Sequence, residues 1–89
     1  METGLDGKVV LVTGGAGGIG QSICKAFSSE GAKVVIHYHE SEESAISLAR
    51  ELGGVAMGAD LRDPVAANDL ISSIVAELGS LDVCVANAG

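Results

Sequence analysis

The chain alternates between short unbroken apolar runs and longer segments whose apolar positions recur at helical spacing. Residues 8–12, Lys-Val-Val-Leu-Val, form the first run. A continuous run, as opposed to an alternating one, predicts a strand covered on both faces, as in a parallel sheet. Residues 18–30 place Ile19, Ile23, Ala26 and Phe27 on one predicted helical face, closed by Gly31. Residues 33–37 repeat the strand pattern through Val34, Val35 and Ile36. Ser41 is the predicted cap of a second helix, with Glu42 and Glu43 in the first turn, where the helix dipole favours them. Its buried stripe is Ala45, Leu48, Ala49 and Leu52, and Gly53 and Gly54 stop it. A weaker third strand spans residues 55–59, and Asp60-Leu61-Arg62 reads as a turn. Asp63 followed by Pro64 marks the third helix start, a capping carboxylate with proline at the first helical position. Leu70, Ile71, Ile74 and Leu78 give that helix its apolar face, and Gly79 closes it. Residues 81–86 form a fourth strand, ahead of Asn87-Ala88-Gly89.

The predicted order is therefore β-α-β-α-β-α-β, an α/β doubly wound parallel sheet with helices on its faces and right-handed crossovers. Ligands in such sheets bind beyond the carboxyl ends of the strands, near the point where strand order reverses. Four segments are expected on that rim: the glycine loop after Val12, His37-Tyr38-His39, Asp60-Leu61, and Asn87-Ala88-Gly89.

The glycine loop carries the most chemistry. A helix start leaves its first backbone N–H groups unpaired and partly positive, so it can seat a phosphate. Glycine there reaches positive φ without penalty and lacks the Cβ that would keep a diphosphate away. Gly15, Gly17 and Gly20 satisfy Gly-x-Gly-x-x-Gly, and Thr13, Gly14, Gly18 and Gly20 satisfy Thr-Gly-x-x-x-Gly-x-Gly. The registers overlap, and either set of glycines can be the one that meets phosphate. A ligand-free flexible turn is the bland alternative, disfavoured by the placement between strand and helix.

Composition narrows the partners. The 89 residues suffice for one domain at most. With 47% hydrophobic residues, 13 glycines and one proline, the chain reads as a packed fold. Phe27 and Tyr38 are the only aromatics, so base-stacking platforms are not expected. The net charge of −7 argues against nucleic acid or an anionic membrane as the general partner, while a helix terminus can still hold an anion locally. Cys24 and Cys84 have no metal or redox spacing and read as two small buried hydrophobes in a reducing cytosol. No apolar run approaches the ~18–20 residues of a membrane span, and residues 1–8 are too polar for a signal peptide, so a cytoplasmic setting is expected. His37 and His39 form a His-x-His pair without a third ligand nearby, so no metal site is expected. Glu42, Glu43, Glu51 and Asp69 read as solvated helix faces.

Taken together, these residues resemble the short-chain dehydrogenase/reductase family. Three signposts occur in order: Thr13-Gly14-x-x-x-Gly18-x-Gly20, Asp60-Leu61, and Asn87-Ala88-Gly89. The resemblance implies a Rossmann fold holding a nicotinamide dinucleotide at Gly14, Gly15, Gly17, Gly18, Ile19, Gly20, Tyr38, His39, Asp60, Leu61, Asn87, Ala88 and Gly89. It implies that Asp60 binds the adenine amino group, that Leu61 flanks the ring, and that Asn87 holds the loop and contacts a ribose. It also implies that Thr13 ties the glycine turn to the neighbouring strand. Ala86 departs from the pattern, standing where the family usually has a first asparagine.

The end of the second strand bears on NAD against NADP. An acidic residue there would accept from the adenine ribose diol and repel a 2′-phosphate. Tyr38 stands where NAD-preferring members usually carry aspartate, and His39 could donate to a 2′-phosphate. Gly17, where many NADP-dependent members carry a basic residue, and the nearby Glu40 point the other way. The balance favours NADP(H), with NAD(H) as the alternative.

The resemblance also implies a proton relay of serine, tyrosine and lysine, the lysine four residues after the tyrosine, and none can be placed in these residues. Tyr38 is followed at that spacing by Glu42. The residues are accordingly expected to be the N-terminal part of a single dinucleotide-binding domain in a longer chain, inactive and poorly soluble alone and homo-oligomeric when complete. The leading expectation is an oxidoreductase acting on a small carbonyl or alcohol. Val-Val-Ile-His-Tyr looks similar to 3-oxoacyl-carrier-protein reductases and glucose dehydrogenases. A non-catalytic dinucleotide-binding or redox-sensing module is the alternative. A methyltransferase is disfavoured by His-Tyr-His where an acidic residue would be needed.

Overall fold

The structure, a computed structural model, describes residues 4–87. Ala88 and Gly89 therefore lie outside the described residues. The elements run β1 (Val9–Val12), α1 (Gly18–Ser29), β2 (Lys33–Tyr38), α2 (Glu42–Leu52), β3 (Val55–Gly58), α3 (Pro64–Leu78) and β4 (Val83–Val85). All strand pairs are parallel, in the order β3-β2-β1-β4. This is the Rossmann β-α-β-α-β-α-β arrangement expected from the apolar runs. The chain steps from β1 to β2 to β3 in one direction, then crosses to the other side of β1 for β4. Strand order thus reverses at β1, and the crevice at the carboxyl ends of β1 and β4 is the switch point.

The continuous apolar runs of β1 and β2 bury both faces, as the sequence requires, while the edge strands β3 and β4 are partly exposed. Val10, Val12, Val34 and Ile36 pack with Cys24 of α1 and Ala45, Leu48 and Ala49 of α2. Val9, Leu11 and Val35 face Leu70 and Ile74 of α3 on the opposite side. Val10, Leu11, Val12, Val34, Val35 and Ile36 are each at most 1% exposed. Burying each side chain of this kind contributes roughly 1.5–3 kcal/mol, which makes β1 and β2 the axis of the fold.

Five local expectations are corrected. Cys84, expected to be buried like Cys24, is exposed, because β4 is an edge strand of the sheet. The face of α1 turned to the sheet carries Gly20, Ile23, Cys24 and Phe27, so Ile23 and Phe27 pack as expected, while Ile19 is 74% exposed and Ala26 is also on the surface. A Cβ at Gly20 would run into the Gly14 carbonyl and lie 2.7 Å from Gly15 Cα. The helix therefore approaches the loop too closely for large side chains, and Ile19 is turned outward. Ser41 occupies the N-cap of α2 but makes no side-chain capping bond. Ile71 of α3 is 39% exposed, because α3 turns Leu70 and Ile74 to the sheet. The fourth strand is shorter than residues 81–86, since Asp82 bends its side chain back to cap β1. Its Oδ2 accepts from the Val9 N–H at 2.8 Å and the Ser80 hydroxyl at 3.1 Å. Those bonds, the Val9 amide first, hold the Asp82 carboxyl below its ordinary pKa. The cap predicted for α3 is present: Asp63 accepts from the Val65 N–H at 3.0 Å, with Pro64 opening the helix.

Candidate functional site

The glycines between β1 and α1 divide by physical role. Gly14 has φ +64°, the left-handed region that glycine enters freely. Gly15 is a packing position, since a Cβ would come within 3.0 Å of Ile36 Cγ2 and 3.1 Å of Cys24 Sγ. Gly20 is a second, as described above. Gly17 and Gly18 differ from these. Neither has positive φ, a Cβ at Gly18 would meet nothing within 4 Å, and one at Gly17 would sit an ordinary 3.6 Å from Gly14 O. The fold itself does not require glycine at these two places.

The helix start beside them is open. Gly17 caps α1 without a side-chain bond, and the N–H groups of Gly18, Ile19 and Gly20 have no acceptor among the described residues. The first amide of α1 with an internal partner is that of Gln21, which donates to Gly17 O at 2.8 Å. Three adjacent donors at the positive end of a helix, with bare backbone in front, form a cradle for an anion. Open space at Gly17 and Gly18 fits a diphosphate lying directly against backbone.

The rest of the rim is tied to this turn. Thr13 Oγ1 donates to Val85 O at 3.3 Å and accepts the Asn87 N–H at 2.9 Å. Asn87 Nδ2 donates to Gly14 O at 3.2 Å. The ends of β1 and β4 are therefore locked together at the switch point. On the other side of β1, the buried His37 ring takes the Gly14 N–H on Nδ1 at 3.0 Å, and its Nε2 lies 2.8 Å from Ala59 O.

Two adjoining hollows run from the glycine turn toward the end of β3. One, of about 250 Å³, lies among Gly14, Gly17, His37, Tyr38 and His39. The other, of about 570 Å³, is lined by His37, His39, Glu40, Asp60, Leu61 and Arg62. His39 is half exposed, with Nε2 3.8 Å from Asp60 Oδ2. Asp60 is engaged on both oxygens: Oδ1 accepts from Arg62 N–H and Nε, and Oδ2 from Nη2, each at 3.0 Å. The Arg62 guanidinium, and then its backbone amide, hold the Asp60 carboxyl down at about 2. Leu61 packs against the α3-side core. The Tyr38 ring lies over Gly58, and its hydroxyl donates to Glu42 Oε2 at 2.8 Å, which pushes the Tyr38 pKa up. That hydroxyl is held at the start of α2, away from the crevice between β1 and β4.

The predicted site residues among 14–87 are thus gathered on one rim, with Gly14, Gly15 and Gly20 shaping the turn and Gly17, Gly18 and Ile19 lying open. Sequence reasoning passed over His37 and Arg62. In the sequence His37 stands out only as part of the rim segment His37-Tyr38-His39 and of a His-x-His pair, and Arg62 only as part of a turn. No group of three His, Cys, Asp or Glu side chains converges as a metal site among the described residues.

Residues 8–89 match the family model of the short chain dehydrogenases. The chain belongs to that family. Versicolorin reductase 1 of Aspergillus parasiticus is 41% identical over 90 residues, covering 96% of this chain and 34% of the relative. A short chain dehydrogenase of Burkholderia cenocepacia, solved in complex with NADP, superposes with a TM-score of 0.87 at 40% identity, covering 96% of this chain and 37% of its own. A blue fluorescent protein from a metagenomic library, solved with NADPH, gives 0.87 at 36% identity, with the same 96% and 37% coverage. The chain spans about a third of the length of the short-chain dehydrogenase relatives it matches.

Proposed function

We propose that these residues form the cofactor-binding part of an oxidoreductase that transfers hydride between NADP(H), or NAD(H), and a small carbonyl or alcohol substrate. The observation that carries this reading is the open start of α1. Three amides without an acceptor among the described residues stand behind two glycines whose missing side chains the fold does not need.

In this reading residues 1–89 are the N-terminal part of a single dinucleotide-binding domain. The amides of Gly18, Ile19 and Gly20 hold the diphosphate, and Gly17 and Gly18 let it approach. Gly14 and Gly15 shape that turn. The exposed Ile19 side chain offers apolar cover beside the helix start. Thr13 and Asn87 fix the turn against β4, and Asn87, continued by Ala88 and Gly89, borders a ribose. Leu61 flanks the adenine and Asp60 accepts from its amino group, sharing its oxygens with Arg62. The bound nicotinamide supplies or accepts the hydride. The paired Tyr38–Glu42 contact leaves that tyrosine no part in proton transfer, so the proton relay belongs to residues other than those described.

NADP(H) is the preferred partner. The end of β2 presents Tyr38 and a half-exposed His39 in place of an acid, and Arg62 lines the same hollow. Two similar structures hold NADP or NADPH. Free Cys24 and Cys84 and the acidic balance suit a cytoplasmic enzyme, and a homo-oligomer is the expected complete form.

Titrating the complete protein with NADPH and NADH tests this directly. NADPH is expected to bind about tenfold tighter or better, a difference of roughly 1.4 kcal/mol, and His39→Gln is expected to narrow the gap. Tighter binding of NADH would reverse the cofactor preference. Binding with no turnover of any carbonyl or alcohol would favour the sensing module over the enzyme.

A further inference from the structure

The histidine at the centre of the rim has a task that the proposed function does not assign. His37 is 3% exposed, and both ring nitrogens are engaged by backbone. An amide N–H can only donate and a carbonyl can only accept. Nδ1, facing the Gly14 N–H, must therefore present its lone pair, and Nε2, facing Ala59 O, must carry the hydrogen. The other neutral tautomer breaks both bonds, and the cation sets N–H against N–H at Gly14.

What the ring joins is specific. Gly14 has the positive φ that turns the chain out of β1, and Gly15 also donates its N–H, at 3.0 Å, to the His37 carbonyl. His37 thus fixes two consecutive amides at the start of the glycine turn, one through its side chain and one through its backbone. The Gly14 carbonyl is fixed from the opposite side by Asn87 Nδ2 at 3.2 Å and by the Gly17 N–H at 3.2 Å. Ala59, at the other end of the ring, immediately precedes Asp60-Leu61.

We infer that His37 is a positioning residue for the dinucleotide. As the neutral Nε2–H tautomer, it sets the diphosphate turn of β1 relative to the adenine-side turn of β3. The inference rests on the cofactor reading above. It makes the geometry of the two turns one unit, so loss of the ring's acceptor displaces Gly14 and, through it, the amides opening α1.

The variants separate this role from simple core filling. His37→Asn keeps an acceptor near the position of Nδ1, His37→Gln places its amide near Nε2, and His37→Phe keeps the shape with neither polar group. NADH serves as the probe, because it lacks a 2′-phosphate that would titrate or contact His39. In the complete protein, His37→Phe and His37→Gln are expected to weaken NADH binding about tenfold or more, and His37→Asn, which keeps the Gly14 bond but loses the tie to Ala59, to fall clearly between those variants and wild type. Nitrogen-15 NMR of the imidazole in the wild-type protein, without cofactor, is expected to show a protonated Nε2 and an unprotonated Nδ1 at neutral pH. An Nδ1–H tautomer or a cation there would overturn the inference whether or not the variants fold. Unchanged NADH affinity in His37→Phe, or equal affinity in the Asn and Gln variants, would overturn it alone. Failure of the wild-type protein to bind any dinucleotide would remove the cofactor reading and this one together.

Discussion

At the scale of single residues, the absence of a side chain means different things at neighbouring positions. Gly20 lies against the backbone of its own loop, where an added methyl must displace Gly14 O and Gly15 Cα. Backbone cannot rotate aside as a side-chain tip can, so Gly20→Ala is expected to cost about 1–3 kcal/mol and lower the melting temperature by several degrees. Gly18 has an ordinary backbone and empty space before it. Alanine there reduces unfolded-chain freedom and strains nothing, so Gly18→Ala is expected to leave stability unchanged or raise it by up to roughly 1 kcal/mol. Its effect should fall on the ligand, because the methyl stands where the proposed diphosphate approaches. Thermal unfolding and dinucleotide titration of the two variants in the complete protein check both halves. Full affinity in Gly18→Ala would mean that the anion does not lie against this amide.

Between elements, the caps show which signals are local enough to read. Asp63 and Pro64 define the start of α3 through a bond two residues away, from the Val65 N–H. Asp63→Ala is expected to cost about 1 kcal/mol. Ser41 has the composition of a cap but makes no capping bond, and Ser41→Ala is expected to be nearly neutral. Denaturant midpoints of the two variants measure the contrast, and equal losses would contradict the geometry. The strands were similarly legible, since unbroken runs such as Val9–Val12 need no partner's identity to be recognised. The face of α1 was legible in part. Periodicity placed Ile23 and Phe27 against the core, where they pack, but it also placed Ile19 there, whereas close helix–loop approach selects Gly20 and turns Ile19 outward. Bonds across long stretches of chain were also hidden: Val9 to Asp82 spans 73 positions and Gly14 to His37 spans 23. In a sequence an aspartate near a strand or a histidine within one carries no mark of the amide it will meet. The rim of the candidate site could be read because its segments follow strands. The ties made by Thr13 and Asn87 follow from the family resemblance, whereas those made by His37 and Asp82 appear only once the sheet has placed β2 and β4 on either side of β1.

Across the whole molecule, the ionisable groups bound stability from both sides of neutral pH. Asp60 and Asp82 have folded pKa values below the ordinary carboxylate value, held by Arg62 and the Val9 amide respectively. Their contribution is complete above the unfolded value of about 4 and is lost as pH falls through the folded values. Asp60 and Arg62 are exposed, so their share should shrink with added salt, whereas the Asp82–Val9 bond should be less sensitive. Cys24 behaves oppositely: burial between α1 and the sheet pushes its thiol from 9.0 up to about 11. The folded state then holds that proton more tightly than the unfolded chain, so its contribution is complete below pH 9 and disappears as pH rises through about 11. Tyr38 has the same sign through its hydroxyl bond to Glu42, but at the surface, where solvent reduces it. The urea midpoint of the complete protein is therefore expected to fall as pH drops below about 4, where these carboxylates are protonated, and again as it rises past about 9. Cys24→Ala should be less stable throughout, since it removes packed volume, yet lose less on passing from pH 9 to 11 than wild type does. The acid limb should be unchanged in that variant, because neither aspartate touches Cys24. Parallel midpoint curves for the two proteins above pH 9 would show that this thiol does not set the alkaline limit.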